Sequence, residues 1–105
     1  MAGDDDNLIT FKRPESYRRI HERIKEAWTE GSVVLPEYVQ SRMLERGIDD
    51  ADLDRVILRG RVENHEATTD ERARYTIVGR SVDGFRVKVV VEINGETVIV
   101  TTWCL

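Results

Sequence analysis

Over the first sixty residues the apolar positions keep a helical spacing, and after Gly60 they alternate. Tyr17, Ile20, Ile24, Ala27 and Trp28 lie three and four residues apart, the stripe of an amphipathic helix over 14–30. Proline is tolerated in a first helical turn and carboxylates favour its positive end, so Pro14 and Glu15 mark the start. Gly31 marks the stop. Val33-Val34-Leu35 reads either as a brief strand or as a connection. Pro36 opens a second helix to Arg46, with Tyr38, Val39, Met43 and Leu44 on its buried side and Gly47 as its cap. Asp49 is the expected N-cap of a third helix, whose stripe is Leu53, Val56 and Ile57 and whose stop is Gly60.

Four strands are predicted after the change of period, at about 61–67, 73–80, 85–93 and 97–103, with the polar run 65–72 as a loop. Asn94-Gly95 signals a two-residue hairpin, and Val82-Asp83-Gly84 fits a three-residue one with glycine in the left-handed position. Helices first and a meander second imply an α+β fold: helices packed on one face of a four-stranded antiparallel sheet. The turns also predict the register. The first hairpin pairs Ser81 with Phe85 and the second pairs Ile93 with Glu96. Phe85, Val87, Val89, Val91, Val98, Val100, Tyr75 and Ile77 then face the helices. Arg74, Arg80, Arg86, Lys88, Thr101 and Trp103 share the opposite face. A loop of two or four residues in the first hairpin would turn the arginines inward, where burying them unpaired is costly, so the three-residue loop is preferred.

Charge gives that face its interest. The 105 residues carry a net charge of −4, which argues against indiscriminate binding to nucleic acid. The excess is uneven: residues 1–71 hold 11 basic and 17 acidic side chains, and residues 72–105 hold 5 and 3. Asp4-Asp5-Asp6 lies in a stretch without periodicity, read as a disordered acidic tail over 1–13 ahead of a single domain over 14–105. No run approaches the length of a membrane span and the amino terminus does not resemble a secretory signal, so a cytoplasmic protein is expected. Cys104 is the one cysteine, and His21 and His65 are far apart in sequence, so neither a disulfide nor a zinc site is expected, and no cofactor. His21, set among helix charges, is expected to face solvent.

Arg42, Met43, Arg46, Gly47 and Ile48, then Gly60, Gly79, Arg80, Asp83 and Gly84, then Thr101 and Trp103, form an ordered set over roughly 35–103. In this set the chain resembles the domain of unknown function 4258 family. The resemblance implies a fold like that of the RelE/ParE toxins and a role as the toxin-like component of a toxin–antitoxin pair. It further implies a small zinc-finger antitoxin as partner and messenger-RNA cleavage of the MqsR kind. Many relatives have a histidine where this chain has Tyr38, and usually a tyrosine where it has Trp103.

Metal-free RNA cleavage needs a base for the 2′-hydroxyl, cations for the phosphate and an acid for the leaving oxygen. Arg80, Arg86 and Lys88 are the candidate phosphate-binding catalytic residues, because guanidinium and ammonium groups meet phosphate oxygens directly. Arg74, Thr101 and Trp103 are the candidate RNA-binding residues, Trp103 as a stacking platform unless the first helix or the tail covers it. His65 is the candidate acid or base. Two classes of function follow: a metal-independent endoribonuclease, or a non-catalytic module that binds a partner protein through the same face. Solvent-facing cations paired with Glu92 or Glu63 are the plain structural reading of the same residues.

Overall fold

Three helices lie against one face of a five-stranded sheet in the computed structural model, which describes residues 15–69 and 72–104. The expected tail over 1–13, and Pro14, lie outside these residues. Helix α1 spans Glu15–Thr29, α2 Glu37–Arg46 and α3 Asp50–Arg59. The strands are β1 (Val33–Val34), β2 (Arg61–Thr69), β3 (Arg72–Arg80), β4 (Arg86–Asn94) and β5 (Thr97–Cys104), in the order β1-β5-β4-β3-β2. The expected four-stranded meander is present. Val33 and Val34 add a fifth strand, parallel to β5 and paired with Val98 and Ile99. Residues 65–69 and Arg72 are strand and not loop, because β2 continues to Thr69 and β3 begins at Arg72. Two shifts of register in β2 accommodate its polar residues while the ladder continues.

The first hairpin closes as the sequence predicts. Ser81 N–H donates to Phe85 O over 2.8 Å, Gly84 N–H donates to Ser81 O over 3.0 Å, and Gly84 takes φ +92°. Pairing then runs unbroken from Arg80 opposite Arg86 to Arg72 opposite Asn94. The second hairpin differs. Asn94 pairs with Thr97, so the loop is Gly95-Glu96, with Gly95 at φ +62°. Glycine at the first loop position satisfies a primed turn as well as Asn-Gly does. The slip of two residues leaves every side chain on its face, so the hydrophobic pattern cannot choose between the two registers.

One irregularity does change faces. Val91 pairs with Val100 and Val90 with Thr102, which leaves Thr101 as an extra residue in β5. Thr101 Oγ1 donates to Val90 O over 3.2 Å, and Thr101 O accepts the Tyr38 hydroxyl over 2.7 Å. The groups released by the bulge are thus bonded again. Trp103 consequently pairs with Val89 and enters the core at 1% exposure, where the expected register had put it outside. Phe85 is corrected in the opposite direction, since it lies exposed beyond the helices. Tyr38 and Leu44 are exposed as well, and Val39 and Met43 alone carry the buried side of α2.

The core joins Ile24, Leu53, Val56 and Ile57 of the helices to Ile77, Val87, Val89, Val91 and Val100 of the sheet. His21, expected in solvent, is half-buried, and its Nε2–H donates to Ile57 O over 2.8 Å. Trp28 Nε1–H donates to Asp54 Oδ1 over 3.0 Å, so two polar contacts fix α1 on α3. No described helix is long and apolar enough to cross a membrane.

Helix α3 crosses β3 at a pair of glycines. A Cβ on Gly60 would lie 2.5 Å from Val78 O, and one on Gly79 would lie 3.1 Å from Val56 Cα. Gly60 has φ −77°, so the constraint there is space and not conformation. Gly60→Ala is expected to cost about 1–3 kcal/mol through overpacking, read as a lower urea midpoint with an unchanged slope.

Asp49 begins α3 with a reciprocal capping box to Asp52, each backbone N–H meeting the other's carboxylate at 3.1 Å. Asp52, only 7% exposed, also accepts Val82 N–H at 2.8 Å and so ties the first hairpin to the helix start. The Val82 N–H holds the Asp52 carboxyl below the ordinary range against the opposing effect of burial, with the Asp49 contacts assisting. A carboxyl depressed in the folded state stabilises above its unfolded pKa and ceases to do so as pH falls through the folded one. Asp52→Ala is expected to lose about 2 kcal/mol at neutral pH. Its gap from the parent in thermal midpoint should narrow steadily on acidification towards pH 3.

Candidate nucleic-acid interface on the outer sheet face

The face of the sheet away from the helices is ordered in rows by the register. Arg80 stands directly opposite Arg86. The next row runs Arg61, Val78, Lys88, Cys104, and the one after it Asn64, Thr76, Val90, Thr102. Beyond these come Glu66, Arg74, Glu92 and Ile99. The expectation that Arg74, Arg80, Arg86 and Lys88 share a face is therefore met, because the three-residue loop fixes their parity. Arg61 joins them. Its place follows from its pairing with Val78, which a run as polar as 65–72 does not predict.

The cations are not equivalent. Glu92 is 5% exposed on this face, and its carboxylate lies 3.1 Å from Arg74 Nε and 3.6 Å from Arg72 Nη1. That end of the face is partly compensated, with one carboxylate between two guanidiniums, and Arg74 is held as the partner of a buried acid. At the other end Arg80 Nη1 donates to Gly84 O over 3.0 Å, a bond that braces its own hairpin and leaves the charge uncompensated. Among the described residues, Arg86 and Lys88 have neither an ion-pair nor a hydrogen-bond partner. Like charges directly opposite on neighbouring strands oppose folding. Arg80, Arg86 and Lys88 thus form a cluster whose repulsion a bound anion would relieve.

The remaining candidates are elsewhere. Trp103 is in the core with the Arg42 guanidinium 5.4 Å from its ring centre, and its Nε1–H has no partner among the described residues. It is not a stacking platform. Thr101 is the bulge residue and its hydroxyl is engaged with Val90 O. His65 pairs with Tyr75, and their rings stack 5.0 Å apart at 13° on the helix-bearing face. Burial first, and the neighbouring Tyr17 second, push the Tyr75 phenol up, with Arg23 pulling weakly the other way. His65 is therefore separated from the arginines by the thickness of the sheet. No three side chains that could hold a metal converge among the described residues.

Much of the ordered residue set that marks this chain has a folding role. Gly60 and Gly79 let α3 cross β3, Gly47 ends α2 at φ +72°, Gly84 turns the hairpin and Arg80 braces it. Arg86 and Lys88 have no such role, and a spacing of two after a glycine turn was the sequence signal for their shared face. No curated protein and no solved structure matches the chain. One family model does, described as a domain of unknown function (DUF4258), over residues 37–103. That span runs from the first residue of α2 to Trp103 and contains the whole cationic cluster, so by the greater part of its length the chain belongs to the DUF4258 family.

Proposed function

We propose that the chain is the toxin-like component of a toxin–antitoxin pair, with a RelE-like fold, and that it acts on RNA in the cytoplasm through Arg80, Arg86 and Lys88. The observation that carries this reading is the cross-strand pair Arg80–Arg86 with Lys88 beside it, left without a carboxylate partner among the described residues while Glu92 engages Arg72 and Arg74 at the other end of the face. Guanidinium and ammonium groups placed in this way suit the phosphates of a single strand. The positions of His65 and Trp103 favour a second reading for the chemical step, in which the module binds without cutting. Expression with and without a small zinc-finger partner, and incubation of purified protein with single-stranded RNA in EDTA, test both. Growth arrest relieved by the partner and metal-independent cleavage support the ribonuclease. RNA binding without cleavage supports the non-catalytic module. Absence of RNA binding at low salt overturns the proposal.

A further inference from the structure

Leu44 completes the apolar stripe of α2 in sequence, yet it is 84% exposed and the core does not use it. It lines a groove on the helix-bearing side of the sheet. One hollow of about 460 Å³ is walled by Trp28, Val33 and Leu35 together with Asp50 and Asp54. A second, of about 610 Å³, is walled by Leu35, Met43, Leu44 and Ile48 together with Glu37 and Asp49. The two share Leu35, Asp50 and Ala51, so they form one groove from the end of α1, across the start of α3, to α2. Its walls are fixed: Gln40 Nε2–H donates to Leu35 O over 2.8 Å, and Trp28 Nε1–H donates to Asp54 Oδ1 over 3.0 Å.

Charge decides what the groove accepts. Its four carboxylates, on Glu37, Asp49, Asp50 and Asp54, meet no basic side chain among the described lining residues. Asp49 is engaged in the capping box and Asp54 by Trp28, but Glu37 and Asp50 have no hydrogen-bond or ion-pair partner among the described residues. The positive end of a helix favours acids in its first turn, which accounts for Glu37 and Asp50 but not for an uncovered leucine beside them. We infer that this groove docks a basic amphipathic segment of a partner protein. Its apolar side chains would lie on Leu35 and Leu44, and its lysines or arginines would meet Glu37, Asp50 and Asp54, the mode in which grooves hold amphipathic peptides. The aliphatic stem of a basic residue also suits the Trp28 wall, with the cation beside indole and carboxylate. An acidic segment would only add to the repulsion. The cationic cluster lies on the other side of the sheet, so this docking is independent of the RNA-binding reading.

The test titrates the full-length protein with two labelled fourteen-residue peptides. One places leucine and lysine at amphipathic helical spacing, and the other has glutamate for every lysine. The lysine peptide should bind and shift the indole emission to the blue as Trp28 loses water, since Trp103 is already in the core. The glutamate peptide should bind about tenfold more weakly or not at all. Leu44→Ser should weaken the lysine peptide about tenfold through one lost apolar contact, at an unchanged thermal midpoint. Glu37→Gln combined with Asp50→Asn should weaken it about tenfold at low salt, with the gap closing at high salt. Arg86→Ala combined with Lys88→Ala should leave it no weaker than in the parent. No binding by the parent, equal binding of the two peptides, or parental affinity in Leu44→Ser would each overturn the proposal. A parent dimer that Leu44→Ser disperses would overturn it too, by giving the groove to a second copy of the chain. A parent that binds the lysine peptide in this groove and no RNA would keep the docking site while the RNA reading falls.

Discussion

Trp103→Ala should destabilise the fold by about 3–5 kcal/mol, enough to leave a domain of this size largely unfolded at moderate temperature. The indole is 1% exposed, pairs with Val89 across β4 and β5, and lies under the Arg42 guanidinium. Removing it opens a cavity that α2, anchored by the Tyr38–Thr101 bond, closes only in part. Trp103→Phe should behave very differently. The indole Nε1–H is buried without a partner among the described residues, so phenylalanine removes an unsatisfied donor while keeping most of the apolar volume. Urea unfolding should put this variant within about 1.5 kcal/mol of the parent. Its RNA affinity should equal the parent's, because the ring lies on the helix side of the sheet. A Trp103→Phe protein that folds normally and loses RNA binding would contradict the buried placement.

The misplacement of Trp103 in the sequence reading has a visible cause. The buried positions of β5 are Val98, Val100 and Trp103, so the last interval is three where strict alternation requires two. An interval of three inside a strand is the trace of a bulge, and the extra residue, Thr101, can bond the carbonyl that the bulge exposes. The β3–β4 register was legible because a glycine turn of one loop length explains both an apolar layer and an outward set of cations. The slip at Gly95-Glu96 was not, because moving by two preserves the faces. His65 is misplaced for a further reason: HEATTDER is polar apart from Ala67, and polarity suggests a loop even where backbone pairing to β3 continues.

Burial also redistributes what charge alone suggested. Counting residues made Arg74, Arg80, Arg86 and Lys88 interchangeable. The fold divides them through Glu92, a carboxylate nearly removed from solvent on the outer face of the sheet. Truncating one partner of such an acid costs more than the loss of an exposed ion pair, since the remaining charge is then buried with less compensation. Arg74 thus has a structural duty that Arg86 and Lys88 lack. The difference turns one cationic face into two regions with separable effects on mutation.

Replacing Arg86 and Lys88 together with alanine should therefore weaken single-stranded RNA binding about a hundredfold at low salt, as two charge-assisted contacts are lost. The slope of log affinity against log salt should fall by about 1.4, because two fewer counterions are displaced from the strand. Thermal stability should hold or rise, since the variant removes a cation from the opposed pair Arg80–Arg86. Arg74→Ala should show the reverse: a lower thermal midpoint from the loss of its 3.1 Å contact with Glu92, and a salt slope equal to the parent's. The four measurements form a cross, in which one variant loses affinity while keeping stability and the other loses stability while keeping affinity. Equal loss of affinity in both variants would mean that the partner spans the whole face and that Glu92 does not divide it. Undiminished affinity in the double variant would remove the Arg86–Lys88 cluster from the binding site altogether, whatever its geometry.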